Sequence, residues 1–336
     1  MTAGVRDRAR PAALMFPGQG AQHQGMATGL YRSERVFADA MDSVFALLGA
    51  EGERVRADWL SDEPAIGIDD VRRAQPLLFA VGYALGRLLY SRGVRPTAML
   101  GHSAGELVAA TLAGVFELRD AVALVGGRVR HAATMPSGGM LAVAAAPDDL
   151  RPYLDDELVA IAAVNAPRQT MLAGPTAPLR AVEARLRADG VIVREVPSTS
   201  PFHSPVMAPV AAATERALGR ARLRAPRLPV YSAYTGEVLG EQQARDPGFW
   251  ARQVTDTVYF GPALDRLLAD RDVLLVEAGP GQTLAAFARR HRAVREQRSA
   301  VVPLLPAQPG GPETDLRSVL DALDRVHAPA TRAGTR

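Results

Sequence analysis

The chain carries Gly101-His102-Ser103-Ala104-Gly105-Glu106 between an apolar stretch, Ala98-Met99-Leu100, and a helical pattern that begins at Leu107. A GxSxG segment at a strand-to-helix turn is typical of a nucleophile elbow, in which a strained turn holds the serine hydroxyl at the C-terminal edge of a sheet. The following helix contributes backbone N–H groups and the positive end of its dipole, and both stabilise an oxyanion. GxSxG also occurs by chance in Gly-rich proteins. The strand before the turn and the helix after it favour Ser103 as a nucleophile.

Two residue types are missing from the 336 residues: there is no cysteine and no lysine, so all 39 basic residues are arginine. These absences exclude a cysteine nucleophile, a thiolate metal site, a disulfide framework, a lysine Schiff base and a P-loop lysine. Apolar residues make up 48% of the chain and charged residues 22%, which is typical of a globular protein. Covalent chemistry would therefore use a hydroxyl or a carboxylate.

The same composition bounds the partners and the location. The net charge of +3 does not indicate nucleic-acid binding. No apolar run approaches the roughly 18 residues of a membrane span, so no membrane association is expected. The N-terminus lacks the apolar core of a signal peptide, and we expect a cytoplasmic protein.

Short apolar runs alternate with longer amphipathic patterns, which predicts an α/β protein. Outside the stretch 138–196 the predicted elements are strands 12–16, 97–101, 228–232, 273–277 and 301–305, and helices 75–91, 105–113, 120–134, and from 205, 282 and 315. Within that stretch they are strands 140–145, 158–164, 170–173 and 191–196, and helices 147–154 and 177–188. The order βαββαβ predicts a ferredoxin-like subdomain inserted into the larger α/β pattern. The expected bounds are 11–136 and 199–327 for the large subdomain, 137–198 for the small one, and 328–336 for a disordered tail.

A serine nucleophile needs a general base, and the chain offers six histidines. His203 is the best placed, in the proline-bracketed segment Pro201-Phe202-His203-Ser204-Pro205 that follows the inserted stretch. The alternative is a structural role, which is common for a lone histidine. Of the other five histidines, His102 is expected to point away from the serine, and His291 and His327 are expected to face solvent. His23 and His131 remain possible bases.

A third feature, Phe16-Pro17-Gly18-Gln19-Gly20-Ala21-Gln22, directly follows the first predicted strand. Its Gly-x-Gly is not a dinucleotide fingerprint, because the third glycine is missing at the required spacing and no acidic residue completes the pattern. A glycine turn at a strand end can instead present a backbone N–H to the serine. Together with the N–H of Ala104 it would complete an oxyanion hole.

The chain resembles the malonyl-CoA:acyl-carrier-protein transacylases and the acyltransferase domains of polyketide synthases, from Met15 to about Leu305. Seven segments in the family's order carry the resemblance: 16–22, 74–80 (AQPLLFA), 101–106, 124–128 (LVGGR), 164–167 (VNAP), 201–207 (PFHSPVM) and 277–281 (EAGPG). It implies a hydrolase-like large subdomain, with a parallel sheet and the nucleophile elbow, plus the inserted ferredoxin-like subdomain.

The resemblance also implies roles for individual residues. Ser103 would be the nucleophile and His203 its base, in a dyad whose histidine is held by backbone carbonyl and side-chain amide groups. Gln19 and Ala104 would supply the N–H groups of the oxyanion hole. Arg128 matches the arginine that pairs bidentately with the free carboxylate of a malonyl group. The alternative for Arg128 is an ordinary arginine on a helix surface.

Several positions bear on the acyl group. Phe202 resembles the malonyl-type signature, and Asn165 is expected to contact the substrate. Ala132 and Ala104 replace larger side chains of the family and would enlarge the acyl pocket. The expected donor is therefore malonyl by default, with a bulkier acyl group as the alternative.

The resemblance predicts an acyl-carrier-protein S-acyltransferase of polyketide, including antibiotic, biosynthesis that binds no cofactor and no metal. Its substrates would be a coenzyme A thioester or an acylated carrier, and its partner an acyl carrier protein. Because no other domain flanks the fold, a free-standing enzyme acting in trans is expected. The alternatives are carrier-to-carrier transfer of a bulky aminoacyl or dipeptidyl group, a thioester hydrolase that edits carriers, and a non-catalytic carrier-docking protein.

Overall fold

A five-stranded parallel sheet and a four-stranded antiparallel sheet organise the residues that the computed structural model describes, which are 10–154, 158–308 and 310–328. The strands are β1 (Ala12–Phe16), β2 (Ala98–Gly101), β3 (Gly138–Val143), β4 (Ala160–Ala166), β5 (Gln169–Pro175), β6 (Val193–Val196), β7 (Val230–Tyr231), β8 (Leu274–Glu277) and β9 (Ala300–Pro303). The helices are α1 (Thr28–Ser33), α2 (Arg35–Leu48), α3 (Ala50–Leu60), α4 (Val71–Ser91), α5 (Ala104–Leu112), α6 (Leu118–Ala132), α7 (Pro147–Leu150), α8 (Thr176–Ala188), α9 (Ala208–Leu218), α10 (Glu241–Arg245), α11 (Pro247–Arg252), α12 (Phe260–Asp270), α13 (Thr283–Arg290), α14 (Arg292–Arg295) and α15 (Pro312–His327).

The parallel sheet has the strand order β7-β2-β1-β8-β9, so β1 lies at its centre. Every residue of β1 is buried. Successive side chains of a strand point to opposite faces. Leu14 and Phe16 accordingly pack with Phe37 and Leu77 in one apolar cluster, whereas Met15 packs with α12 in another. Both faces of the sheet are therefore covered, as is usual for parallel sheets.

The antiparallel sheet has the order β4-β5-β3-β6 and is covered on one face by α8. This is the order of a ferredoxin-like βαββαβ unit, and it confirms the fold class expected from the sequence. Its strands run from Gly138 to Val196, inside the predicted stretch 137–198. The subdomain bounds themselves stay a prediction, and the predicted tail at 328–336 lies outside the described residues except for Ala328.

Some predicted elements differ in extent from those of the structure. The predicted helix 147–154 is α7 followed by a 3-10 turn, Arg151–Tyr153, because the proline at 152 has no N–H to continue an α-helix. The predicted strand 228–232 is reduced to the two residues of β7 at the edge of the sheet. The stretches 28–60 and 241–270 had no predicted element, and each contains three helices. No described helix is both long and apolar enough to cross a bilayer.

The close approach of α5 to β1 leaves no room for a methyl group at Gly105. A Cβ on Gly105 would lie 2.0 Å from the Phe16 carbonyl oxygen, which belongs to the central strand. Overpacking of this kind costs about 1–3 kcal/mol or more. We expect Gly105→Ala to lower the melting temperature markedly in differential scanning calorimetry. Gly67→Ala is the control, because a Cβ there meets no atom within 4 Å, and equal melting temperatures for the two variants would contradict the packing constraint.

Candidate active site

Ser103 lies at a sharp turn between β2 and α5, as the sequence predicts for a nucleophile elbow. Its φ of 51° and ψ of −119° lie in a region that side-chain-bearing residues rarely adopt. A Cβ on Gly101 would approach the Glu106 nitrogen to 2.1 Å, so glycine is required where the helix folds back on the strand. Ala104 is the first residue of α5, and its N–H therefore belongs to the unpaired N–H groups of the helix start.

The nucleophile candidate and its predicted base are in contact. Ser103 Oγ lies 2.6 Å from His203 Nε2. The other ring nitrogen, Nδ1, lies 3.0 Å from the carbonyl oxygen of Asp256, and the backbone N–H of His203 donates to the Val254 carbonyl at 2.7 Å. A carbonyl can only accept, so Nδ1 carries the proton and Nε2 is left to accept one from the serine hydroxyl. This arrangement suits a Ser–His dyad oriented by a backbone carbonyl.

Burial keeps the imidazole neutral. His203 is only 4% exposed, and burial lowers its pKa from 6.5 to about 3. Charge repulsion from His102 and Arg128 lowers the pKa further, whereas the hydrogen bond to the Asp256 carbonyl raises it. A neutral imidazole at physiological pH is the form that a general base requires.

Ser103 and His203 line a cavity of about 260 Å³ at the junction of the two sheets. Three other predicted site residues also line it: Gln19, Asn165 and Phe202. The side chain of Gln19 is held by Gln75 Nε2 at 3.2 Å, and it reaches Ser198 Oγ at 3.4 Å. The remaining walls are Pro17, Gly18, Gly20, Ala21, Gln75, His102, Met140, Ala142, Ala163, Gln169, Met171, Arg194, Glu195, Val196, Pro197, Thr283, Leu284 and Phe287.

His102 directs its ring at the antiparallel sheet and at α12 rather than at Ser103. Its Nε2 lies 2.8 Å from Asn165 Oδ1 on β4, its centroid lies 5.4 Å from the Phe260 ring, and the residue is among those that line the cavity. The reason is tertiary: the antiparallel sheet covers the end of β2 and supplies Asn165 as a partner. Burial lowers the pKa of His102 below its ordinary value, and the hydrogen bond with Asn165 offsets only part of this shift.

None of the other histidines contacts the dyad among the described residues. His131 is exposed and bonds within α6 to the Gly127 carbonyl. His23 faces the Gln24 carbonyl at 3.3 Å, and His327 is exposed, as expected. The prediction that His291 faces solvent is wrong, because its side chain is partly buried and its Nε2 lies 3.1 Å from the Asp265 carboxylate.

Arg128 lies on α6 and is only 8% exposed, so it is not an ordinary surface arginine. Its Nη2 donates to the Trp250 carbonyl, and its Nε has no hydrogen-bond partner among the described residues. Burial lowers the pKa of Arg128 to about 10, while the charges of Tyr234 and Glu106 raise it. The guanidinium therefore stays charged at neutral pH. It also lowers the pKa of His203, which places its charge close to the dyad.

Two predicted substrate contacts are not found at the cavity wall. Among its described lining residues neither Arg128 nor Ala132 occurs. Ala132 is 3% exposed and packs in the apolar core beside α6. A wider acyl pocket at Ala132 stays a prediction.

Glu106 is the member of the site region that the sequence analysis missed. It is 0% exposed and accepts from Ser232 Oγ and the Ala233 N–H, each at 2.7 Å. Burial raises the pKa of Glu106 to about 8, although its hydrogen bonds from Ser232 and Ala233 and the positive charge of Arg128 each lower it. An acidic residue directly before the apolar run 107–110 was the available signal, because a carboxyl group among core positions needs buried partners.

The acyl transferase domain family matches residues 14–329 of the chain. A component of the phenolphthiocerol/phthiocerol polyketide synthase of Mycobacterium tuberculosis is 44% identical over 279 residues, which are 83% of this chain and 19% of that protein. The chain thus spans about a fifth of this curated relative. The acyltransferase domain from the second module of the salinomycin polyketide synthase superposes with a TM-score of 0.85 at 34% identity, covering 96% of this chain and 74% of the other. The acyl transferase domain of SpnD, in complex with 2-(pent-4-yn-1-yl)malonyl, gives 0.86 at 32% identity, with coverages of 97% and 79%.

The depressed pKa of His203 predicts a flat pH profile for the reactivity of Ser103. A base with an ordinary histidine pKa near 6.5 would lose about 30-fold in its neutral fraction between pH 7.5 and 5.0, whereas one near 3 stays neutral throughout. We expect the rate of Ser103 modification by phenylmethylsulfonyl fluoride, followed by intact mass, to change less than about threefold over this range. Ser103→Ala should show no adduct, and a steep fall centred near pH 6.5 would contradict a buried, neutral base.

Proposed function

The chain belongs to the acyl transferase domain family, and on this basis we propose that it moves an acyl group from a thioester donor, through an acyl-serine, to the phosphopantetheine thiol of an acyl carrier protein in polyketide synthesis. The observation that carries the proposal is the 2.6 Å contact between Ser103 Oγ and His203 Nε2 at the cavity between the sheets. A hydroxyl held against a neutral imidazole is an activated nucleophile.

The first half of the reaction forms the acyl-enzyme. His203 Nε2 takes the proton of Ser103 as Oγ attacks the thioester carbonyl. The oxyanion of the tetrahedral intermediate is placed at the N–H groups of Ala104 and Gln19. The Asp256 carbonyl stabilises the imidazolium through Nδ1–H. When the C–S bond breaks, His203 returns the proton to the leaving thiolate.

The second half runs in reverse with a new thiol. The thiol of the carrier loses its proton to His203 Nε2 and attacks the acyl-serine carbonyl. Collapse of the second intermediate breaks the C–O bond to Ser103, which regains the proton from His203. No group is oxidised or reduced, and the thiols belong to the substrates, in keeping with a chain that contains no cysteine.

Malonyl is the acyl group that the charges support best. Arg128 is a buried cation whose Nε lacks a partner among the described residues, and a carboxylate would satisfy that donor with a charge-assisted hydrogen bond. The SpnD domain, which is similar in structure, is in complex with a malonyl derivative. Because Arg128 lies behind the cavity wall, the carboxylate would reach it after a shift of intervening side chains, as is common on binding.

Transfer of a bulky aminoacyl or dipeptidyl group has weaker support, because the buried charge of Arg128 favours an acyl group that carries a carboxylate. The test of the acyl-enzyme therefore distinguishes carrier-to-carrier transfer and thioester hydrolysis from malonyl transfer. The acyl carrier protein as acceptor is part of the same proposal, because the chain spans about a fifth of the curated relative.

The direct test is the acyl-enzyme itself. We expect malonyl-CoA to add one malonyl group to the wild type by intact mass, to leave Ser103→Ala unmodified, and to lose the adduct when a phosphopantetheinylated carrier is added. Absence of an adduct from malonyl-CoA and from acylated carriers would refute the transferase. An adduct that only water discharges would indicate the hydrolase, and loading from an aminoacyl carrier but not from malonyl-CoA would overturn the malonyl assignment.

Arg128 should discriminate between acyl groups. A charge-assisted hydrogen bond contributes about 2 kcal/mol or more, which is roughly 30-fold in rate. We expect Arg128→Ala to slow acylation by malonyl-CoA by at least that factor relative to acylation by acetyl-CoA, in rapid-quench measurements. Arg130→Ala, on the same helix but exposed, should affect both donors equally, and equal losses for both donors in Arg128→Ala would exclude the carboxylate contact.

A further inference from the structure

Glu106 lies three residues after Ser103, in the first turn of α5, and its carboxylate points into the interior. Oε1 accepts from Ser232 Oγ at 2.7 Å and from Gln253 Nε2 at 3.4 Å. Oε2 accepts from the Ala233 N–H at 2.7 Å. The helix that begins at the nucleophile is thus tied to two other segments of the chain, 232–234 and 253–256.

The segment 253–256 is the one that holds His203. The Val254 carbonyl accepts the backbone N–H of His203 at 2.7 Å, and the Asp256 carbonyl accepts Nδ1 at 3.0 Å. Gln253 begins this segment and is buried. Its Oε1 has no partner among the described residues, so its described side-chain contact is the one to Glu106. The anchorage of this side chain therefore depends on the carboxylate.

The segment 232–234 lies on another side of the imidazole. The Tyr234 N–H bonds to Ser232 Oγ at 3.1 Å, and the Tyr234 ring centroid is 6.1 Å from that of His203. Glu106 thus contacts both segments that flank the base, while it touches neither His203 nor the reacting oxygen.

We propose that Glu106 is a positioning residue that sets the Ser103–His203 geometry by holding, through Gln253 and Ala233, the two segments that flank His203. The inference rests on the proposed function for its kinetic consequence, since the dyad is the group that Glu106 positions. In a catalytic triad an acid contacts the imidazole directly. Here the histidine contacts backbone carbonyls, and the acid acts one step further away, on the segment that carries them.

A carboxyl group at this place has a physical reason. Burying a charged or polar group without partners is costly, so a carboxyl group in this interior is maintained only by its three donors. Each of those donors would be left unpaired by a shorter side chain. A displacement of about 1 Å at a reacting pair costs about 100-fold in rate, so a small relaxation of the segment 253–256 is enough to be measured.

The test compares Glu106→Ala, Glu106→Gln and Gln253→Ala with Asp58→Asn. Asp58 is the matched control, a second buried carboxylate whose described donors are Arg73 Nε and the Ala65 N–H. The first readout is the imidazole ¹⁵N spectrum of histidine-labelled protein, assigned with a His203→Asn variant. The second is the single-turnover rate of Ser103 acylation at saturating malonyl-CoA, and the third is the melting temperature.

We expect Glu106→Ala to shift the His203 ¹⁵N resonances and to slow acylation about 100-fold with little change in the half-saturating donor concentration. Glu106→Gln keeps an acceptor for the Ala233 N–H but turns an NH2 group towards the donor Gln253 Nε2, so its rate should lie between those of the wild type and Glu106→Ala. Glu106→Ala/Gln253→Ala should be no slower than Glu106→Ala, because the two residues act in one chain of contacts. Asp58→Asn should lower the melting temperature without moving either of the other readouts.

Unchanged His203 resonances and an unchanged acylation rate in Glu106→Ala, with only a lower melting temperature, would overturn the positioning role. Additive losses in the double variant would overturn the route through Gln253. The proposed function fails separately, if the wild type forms no acyl-enzyme. In that case the ¹⁵N spectra of Glu106→Ala still decide whether Glu106 positions His203.

Discussion

The contact between the start of α5 and the end of β1 is the constraint on which the site depends. The His102 N–H donates to the Phe16 carbonyl at 2.9 Å, and the α-carbon of Gly105 passes so close to that carbonyl that a Cβ would lie 2.0 Å from its oxygen. The turn at Ser103 is therefore held against the central strand of the sheet. The loop 17–20 leaves the same strand end, which brings Gln19 to the cavity that Ser103 lines. One backbone contact thus places both Ser103 and Gln19 at the cavity.

Burial, and not ion pairing, controls the protonation of the groups behind the nucleophile. It lowers the pKa of His203 to about 3 and that of Arg128 to about 10, and it raises that of Glu106 to about 8. In each case the charged form is disfavoured, and neighbouring charges only modify the result. Arg128 stays charged because its ordinary pKa is so high, whereas the imidazole becomes neutral. The same interior therefore holds the neutral imidazole of His203 and the charged guanidinium of Arg128, which is able to bind a carboxylate.

The parts of the site that the sequence predicts are those set by local rules. The elbow at Ser103 requires glycines on both sides, and the strand-helix order around it follows from apolar periodicity. The ferredoxin-like order follows from the same periodicity over 138–196. The orientation of His102 could not be read in this way, because it depends on Asn165, 63 residues away on the other sheet. The burial of Arg128 could not be read from its sequence position either, because it depends on packing against the segment that contains Trp250.

The antiparallel sheet does more than form a wall of the cavity, because it is hydrogen-bonded to the segment that orients the base. The Val164 N–H of β4 donates to the Val258 carbonyl at 2.7 Å, and the Val258 N–H donates to the Ala162 carbonyl at 2.9 Å. Val258 lies two residues after Asp256, whose carbonyl holds His203 Nδ1. On the opposite side Asn165 of β4 holds His102, next to Ser103. A displacement of the small sheet that widened the cavity would therefore pull on both members of the dyad, so the width of the cavity and the geometry of the Ser103–His203 pair are mechanically coupled.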